Sequence, residues 1–210
     1  DATQAFGRVN DADIGDTVNF RSTIVTQPGA ENYVFHDKMS AGLTLNYSSA
    51  ADISVTLNGD AVAAGAYTIR TGREVTDGCT FEIVFSQAFC DTLGENGELV
   101  IGYSAVVNEN AVIAGAGNPN ESRLTYGENG QFGTTPSITK TYTWGMDVLK
   151  YANGNREKTL EGVKFVLLNS GKSKAAQVAN GKLTGWVDVP AQGAPWPAGT
   201  ELITDAKGEI

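Results

Sequence analysis

The feature that most constrains the fold of this chain is the alternation of apolar and polar residues in short stretches. Val18, Phe20 and Ile24 alternate with polar neighbours, and residues 53–57, 81–85 and 99–107 repeat the pattern. A period of two places one face of a β-strand in a core and the other in water. Turn sequences such as Asn58-Gly59 separate the stretches. The sequence therefore predicts an all-β fold of sandwich type, with one short helix within residues 86–93.

The charge balance argues against a nucleic acid partner. The 210 residues contain 15 Lys and Arg against 24 Asp and Glu, which gives a net charge of −9 that repels phosphate backbones. No stretch approaches the roughly 18 apolar residues that a membrane-spanning helix needs. We therefore expect no nucleic acid binding and no membrane insertion in this span.

The inventory of reactive side chains argues against most enzyme chemistry. One histidine, His36, and two cysteines, Cys79 and Cys90, cannot form a His/Cys zinc site of three or four ligands without carboxylates. His36 and Asp37 are neighbours, and neighbours on a strand point to opposite faces, so they do not form the pair of a catalytic triad. The sequence predicts no metal, no cofactor, two free thiols and no enzyme turnover.

A domain boundary is predicted next to Trp144. The strand pattern of residues 138–144 passes through Gly145 into a new strand at residues 146–151, which a polar turn at Asn153-Gly154 follows. Residues 1–144 then form one domain. Residues 145–210 form the first part of a second domain, because about 65 residues are few for an independent sandwich core.

The most informative polar residues are Asp37, Asn118 and Asn120. Leu124 and Tyr126 mark the apolar face of their strand, and the same parity points both asparagines toward the core. Apolar residues precede and follow Asp37, which places it close to the core as well. A buried carboxyl group and a buried carboxamide are costly unless another group satisfies them.

A lysine amine would satisfy such a pair and would also react with it. In a dry core, burial lowers the pKa of the lysine and raises the pKa of the aspartic acid. The amine can then attack the carboxamide carbon while the carboxyl group transfers protons and ammonia leaves. The product is an intramolecular Lys–Asn isopeptide bond. From the residues alone, a hydrogen-bonded polar pair without covalent chemistry is an equal alternative.

Several motifs occur in the order found in one family. They are residues 14–20 (Ile-Gly-Asp-Thr-Val-Asn-Phe), 36–44 (His-Asp-Lys-Met-Ser-Ala-Gly-Leu-Thr), 103–105 with Asn108, 117–120 (Gly-Asn-Pro-Asn) and 124–126. Together they resemble the isopeptide-forming, immunoglobulin-like domains of Gram-positive backbone pilins, the major fimbrial subunits that class C sortases polymerise. Residues 146–150 and 160–167 resemble the opening of a collagen-adhesin B-type domain.

The resemblance implies a role for each matched residue. Asp37 is expected to be the proton-shuttling acid and Asn120 the acceptor amide, with Asn118 as the alternative. Lys150 is expected to be the amine of the second domain, whose acid and acceptor would follow Ile210, so that its bond would be absent from this span.

The amine of the first domain departs from the family pattern. In the family it lies upstream of the motif that begins at residue 14, but residues 1–13 contain Arg8 and no lysine. Arginine stays protonated and cannot act as the nucleophile. We expect the lysine to precede Asp1 in a longer surface protein, or the bond to be absent. A third candidate is Lys140, which has the same parity as the apolar residues Ile138 and Tyr142.

The predicted function is structural. Tandem immunoglobulin-like modules would form part of the shaft of a pilus on the Gram-positive cell surface, with neighbouring pilin subunits and sortase as partners. The alternative is a stalk or ligand-binding domain of a cell-wall-anchored adhesin. Its host ligand would contact the loops at residues 71–78 and 191–199, the second of which contains Trp196.

Overall fold

Strands dominate both parts of the chain. The computed structural model describes residues 6–210, and the chain divides into two compact units after Gly145. The strands of the first unit are β1 (Val9–Asp11), β2 (Thr17–Val25), β3 (Val34–Met39), β4 (Leu43–Leu45), β5 (Ser54–Leu57), β6 (Asp60–Ala61), β7 (Tyr67–Thr71), β8 (Phe81–Phe85), β9 (Glu98–Val107), β10 (Asn118–Tyr126), β11 (Phe132–Gly133) and β12 (Ser137–Tyr142).

These strands form two sheets that pack face to face. The first sheet has the order β1-β12-β10-β3-β8-β7, with β11 on β10, and the second has the order β2-β9-β5-β6, with β4 on β9. All neighbours pair antiparallel except β1 and β12, which are parallel. The predicted all-β fold is confirmed. The hairpin from β5 to β6 turns at Asn58 and Gly59, which both have positive φ as a two-residue turn of this kind requires.

The core lies between the sheets and follows the alternation in the sequence. On β9 every second residue is buried: Leu99, Ile101, Tyr103, Ala105 and Val107. On β8 the same holds for Phe81, Ile83 and Phe85. Each such large apolar side chain contributes roughly 1.5–3 kcal/mol through burial, so this face accounts for much of the stability of the unit. Glu82, on the opposite face of β8, is also fully buried, which alternation does not predict.

Helical structure is confined to short segments. The helix α1 (Gln87–Cys90) begins at Ser86, whose hydroxyl accepts a hydrogen bond from the Phe89 amide, and it confirms the short helix predicted there. The 3₁₀ segments of the first unit are Ala50–Asp52, Ala64–Ala66, Gly72–Glu74 and Glu128–Gly130. Within residues 6–210, no helix is long and apolar enough to cross a membrane.

The parity predicted for β12 is wrong. Thr141 and Thr143 are buried, whereas Ile138 is 44% exposed. Thr139 pairs with Asn120 and Lys140 pairs with Pro119, so Lys140 lies on the opposite face of the sheet from Asn120. The prediction failed because β12 lies near the edge of the sheet, where the inward residues are threonines that border polar groups and the apolar residues are exposed.

The second unit contains two small antiparallel sheets. They are formed by β13 (Lys164–Val166) with β16 (Glu201–Ile203), and by β14 (Lys174–Ala179) with β15 (Lys182–Asp188). The strand predicted for residues 146–151 is reduced to isolated bridges, from Leu149 to Glu209 and from Tyr151 to Thr159. The strand predicted around Phe165 is β13.

Candidate functional site

Three elements of the first unit bring an acid, an amide and a phenol together in the core. Asp37 lies on β3, Asn120 on the adjacent β10, and Tyr103 on β9 of the opposite sheet. Asn120 pairs with Met39 and Ser122 pairs with Asp37, so the acid and the amide are diagonal neighbours on one face. Asp37 is 0% exposed and Asn120 is 3% exposed. The sequence-predicted pair of Asp37 and Asn120 therefore exists as a buried cluster.

The three side chains form a closed hydrogen-bonded triangle. The Tyr103 hydroxyl donates to Asp37 Oδ2 over 2.5 Å. The Asn120 Nδ2 donates to the same Asp37 oxygen over 2.9 Å and to the Tyr103 hydroxyl oxygen over 3.0 Å. Both donors converge on Asp37 Oδ2, which fixes the carboxyl group against the amide nitrogen.

Two oxygens of this cluster remain without a hydrogen bond. Asp37 Oδ1 and Asn120 Oδ1 are buried, and neither has a partner among residues 6–210. A buried acceptor without a donor costs about 1–3 kcal/mol, and native proteins contain few of them. The pair thus has the capacity to accept further hydrogen bonds from an N–H group.

Burial sets the protonation state of the site. It raises the pKa of Asp37 from 3.8 to about 7, and the hydrogen bonds from Tyr103 and Asn120 oppose this rise. The pKa of Tyr103 is raised well above its ordinary value, first by burial and then by the negative charge of Asp37. Near neutral pH the carboxyl group of Asp37 can therefore both give and take a proton, whereas the phenol keeps its proton.

Aromatic rings surround the phenol. Tyr103 stacks on Phe20 at a centroid distance of 5.4 Å, and it makes edge-on contacts with Phe35 at 6.4 Å and with Phe81 at 5.0 Å. Such contacts are favourable beyond the area that they bury. They also hold the hydroxyl group in position beside Asp37.

A cleft leads to the cluster from one side of the sandwich. It has a volume of about 1600 Å³ and is lined by residues of β1, β2, β10 and β12. Tyr103 and Asn120 form part of its wall, together with Ser122 and Thr139. An amine on an extended segment could reach the amide through this cleft.

Asn118 is buried but belongs to a different hydrogen-bonded group. Its Oδ1 accepts from the Val112 amide over 2.8 Å, and its Nδ2 donates to the carbonyl oxygens of Val112 and Thr141 over 3.2 Å each. The backbone thus uses both ends of this carboxamide, which gives Asn118 a structural role in holding the loop before β10.

Lys140, the local candidate for the amine of the first unit, lies outside the cluster. It is on the opposite face of the first sheet from Asn120. Lys150 is half-buried in the second unit, where its backbone bonds Gly208 and Leu160. Its role as an amine stays a prediction.

Sequence reasoning assigned no role to Tyr103 at this site. Its place in the alternating pattern could have indicated this role, because Tyr103 lies on the inward face of β9 among aliphatic residues. A tyrosine hydroxyl in a core needs a polar partner. The buried acid on the facing sheet is that partner.

No protein-family model matches the sequence, and no curated protein matches it. Solved structures of major pilins, however, share the fold. The 35 kDa C-terminal fragment of the major pilin GBS80 of Streptococcus agalactiae has a TM-score of 0.60 at 18% identity, over 97% of this chain and 74% of that fragment. The pilus 2b backbone protein of group B streptococcus has a TM-score of 0.64 at 18% identity, over 94% of this chain and 74% of that one.

BcpA, the major pilin subunit of Bacillus cereus, has a TM-score of 0.59 at 14% identity. The match covers 97% of this chain but 51% of BcpA, so this chain spans about half the length of that pilin. The structural neighbours of this chain are therefore backbone pilins of Gram-positive bacteria, and the chain shares their immunoglobulin-like β-sandwich fold.

Proposed function

We propose that this chain is a structural part of a surface pilus and that Asp37 and Asn120 in its first unit are the acid and the acceptor amide of an intramolecular isopeptide bond to a lysine. The observation that carries the proposal is a buried acid held against a buried carboxamide in a fold shared with major pilins. A core without chemistry would be more stable with apolar residues at both positions.

The geometry suits the condensation. A neutral amine in the cleft attacks the Asn120 carboxamide carbon, and a new C–N bond forms. The bond from that carbon to Nδ2 breaks, and the nitrogen leaves as ammonia. Asp37 Oδ2 is 2.9 Å from Nδ2, so the acid is positioned to protonate the leaving nitrogen and to take up the proton that the amine releases. A pKa of about 7 fits a group that must do both.

The purpose of such a bond is mechanical. It joins the strand that carries the amine to β10, and it resists forces that would peel hydrogen-bonded strands apart. It also restricts the unfolded chain in the manner of a disulfide, which stabilises a fold by about 2–4 kcal/mol. Unlike a disulfide, it is not reduced by thiols. A subunit that carries tension outside the cell needs these properties.

The location and partners follow from this role. We assign the chain to the surface of a Gram-positive cell, where neighbouring subunits contact it in the polymer and a sortase joins them. The protein would act as a building element and not as an enzyme, because the isopeptide reaction occurs once in each molecule. Cofactors have no part in this chemistry.

Immunogold labelling of the cells that produce the protein tests the function. Antibodies against the recombinant chain should label fibres along their whole length, and immunoblots of boiled cell-wall extracts should show a ladder of covalent polymers. Label confined to fibre tips or to the wall, without a ladder, would support the adhesin alternative. The loop with Trp196, which is 36% exposed, would then be the first surface to examine for a ligand.

A further inference from the structure

The outer face of the first sheet carries a second polar cluster, formed by the buried His36 and Glu82, the half-buried Cys79 and the exposed Asp77. Phe35 and Asp37 face the core on β3, so His36 between them points to the other face. His36 is 6% exposed and Glu82 is 0% exposed. Two ionisable side chains are thus buried on a face that strand alternation assigns to solvent.

Strand pairing brings two of the four cluster residues, His36 and Glu82, together. His36 on β3 pairs with Glu82 on β8 and with Arg123 on β10, and Glu82 pairs with Arg70 on β7. Directly opposite residues of antiparallel strands project from the same face. A row of Arg123, His36, Glu82 and Arg70 therefore crosses four adjacent strands.

The loop before β8 covers this row and supplies the other two cluster residues, Asp77 and Cys79. Thr76 donates to Glu82 Oε1 from its amide over 2.9 Å and from its hydroxyl over 2.6 Å. Asp77 Oδ1 accepts a hydrogen bond from the Cys79 amide over 3.0 Å, which tightens the turn between the two side chains. These bonds hold the carboxylate of Asp77 and the thiol of Cys79 above His36 and Glu82.

We propose that His36, Asp77, Cys79 and Glu82 form a binding site for a divalent transition metal ion, with zinc as the best fit. One donor atom from each residue lies within 4.8 Å of all the others. Tetrahedral zinc, with bonds of roughly 2.0–2.3 Å, sets its ligand atoms about 3.3–3.8 Å apart. His36 Nδ1 is already 3.1 Å from Asp77 Oδ2 and 3.4 Å from Glu82 Oε1. Small side-chain movements would therefore complete the geometry.

The donor set determines the class of ion. A thiolate, an imidazole and two carboxylates are a mixed S, N and O set, which suits zinc and its neighbours and does not suit magnesium or calcium. His36 and Cys79 alone are too few ligands for zinc, and the carboxylates of Asp77 and Glu82 supply the two that are missing. On binding, the thiol proton of Cys79 passes to solvent.

Unpaired atoms at the centre of the cluster point to a ligand. His36 Nδ1 and Glu82 Oε2 are buried and make no hydrogen bond in the part of the chain that the structure describes. Their charged neighbours are Asp77 Oδ2, 3.1 Å from Nδ1, and Arg70 Nη1, 3.7 Å from Oε2. The other ring nitrogen, His36 Nε2, lies 2.9 Å from Thr125 Oγ1. That contact orients the ring as the outer hydrogen-bond partners of metal-bound histidines do, and in the tautomer with the proton on Nε2 the Nδ1 lone pair is available to an ion.

The competing explanation is an ion-pair network that binds no metal. Arg123 pairs with Asp77, and Arg70 Nη1 lies 3.7 Å from Glu82 Oε2, so each carboxylate already has a cation nearby. Such a network accounts for the two carboxylates. It also accounts for His36 Nδ1, which lies 3.1 Å from Asp77 Oδ2, but it does not involve the Cys79 thiol, which donates to the Phe81 carbonyl oxygen over 3.3 Å. Metal titration separates the two explanations.

Titration of the metal-free, reduced full chain with Co²⁺ tests the site. We expect one equivalent to bind, with a thiolate-to-cobalt charge-transfer band in the near ultraviolet and the intense visible bands of tetrahedral cobalt, and Zn²⁺ should remove both. In Cys79→Ser the charge-transfer band should disappear and the affinity for Zn²⁺ should fall at least about 10-fold, because even indirect changes at metal sites cost that much.

Cys90→Ala is the matched control, since Cys90 is the other thiol and lies in α1 outside the cluster. It should keep the bands and the affinity. His36→Gln should lower the affinity for Zn²⁺ even though the Cys79 thiol is unchanged. Circular dichroism establishes that each variant is folded. The proposal is overturned if the unmodified chain gives no thiolate band with Co²⁺, or if Cys79→Ser binds Zn²⁺ as tightly as the unmodified chain.

Discussion

Tyr103 donates a 2.5 Å hydrogen bond to Asp37 across the interior of the sandwich, from β9 of one sheet to β3 of the other. The bond connects the two sheets at a point where the neighbouring residues are apolar. It also fixes the orientation of the carboxyl group, because Asn120 donates to the same oxygen. The phenol therefore positions the acid against the amide, which makes it a positioning residue of the proposed isopeptide site.

The contribution of Asp37 to the stability of the protein should fall as the pH rises toward 7. In the folded state the pKa of Asp37 is about 7, against an ordinary 3.8, so between these values the folded protein keeps a proton that the unfolded chain has released. The free energy of unfolding then decreases with pH, by a total on the order of 4 kcal/mol for this group. This stability from Asp37 is fully present below pH 3.8, the ordinary pKa of the group in the unfolded chain, and it is lost by about pH 7. Urea denaturation from pH 4 to 8 measures it.

Asp37→Asn isolates this effect from other titrations. Asparagine has nearly the same shape as the protonated acid and does not ionise, so the variant should lose the Asp37 part of the pH dependence. All other groups titrate in both proteins, and the difference between the two curves belongs to Asp37. Parallel curves over the whole range would show that Asp37 has an ordinary pKa in the folded protein.

Tyr103→Phe should destabilise the first unit by about 1–3 kcal/mol, because it leaves the buried carboxyl group with one donor fewer. The hydrogen bond from Tyr103 lowers the pKa of Asp37, so its loss should also move that pKa upward. Urea denaturation and carbon-13 NMR titration of the Asp37 carboxyl group measure the two effects. Tyr67→Phe keeps the ring contact with Phe85 and is the control, with an expected change within about 0.5 kcal/mol. An equal effect of both variants would contradict the role of Tyr103.

Gly42→Ala should destabilise the protein through Asn118. A methyl group on Gly42 would overlap Asn118 Oδ1 and come within 2.6 Å of the Ala111 Cα atom. The loop before β10 would have to move, at a cost of about 1–3 kcal/mol. Gly65→Ala, where no atom lies within 4 Å of the added methyl group, serves as the control in thermal or urea denaturation. No difference between the two variants would show that the contact at Gly42 is not rigid.

Much of the fold could be predicted from the sequence because one face of β8 and one face of β9 are apolar or aromatic throughout. On β9 the buried residues are those that alternation selects, and on β8 the same holds except for Glu82, which is buried on the other face. The same reasoning failed on β12, where the inward residues are threonines and the apolar Ile138 is exposed. Alternation identifies the core face only where the facing layer is also apolar.

The acid and the amide were predictable for a different reason. Both are polar residues at positions whose parity points inward, and such positions demand a partner. Their third partner, Tyr103, comes from the facing sheet, and strand parity says nothing about which residues meet across a sandwich. The cluster around His36 was also missed, because Asp77 and Cys79 reach it through a loop whose conformation alternation does not determine.

Intact mass measurement of chains with a lysine placed beside the pair tests the central claim. Ser22 Oγ lies 3.2 Å from Ser122 Oγ, and Thr139 pairs with Asn120, so Ser22→Lys and Thr139→Lys each put an amine in the wall of the cleft. We predict that at least one variant loses one ammonia, about 17 Da, and yields a crosslinked Lys–Asn120 peptide on digestion. Adding Asp37→Asn to that variant should abolish the loss. If both lysine variants fold and keep their full mass, or if the loss persists without Asp37, the account of this site is contradicted.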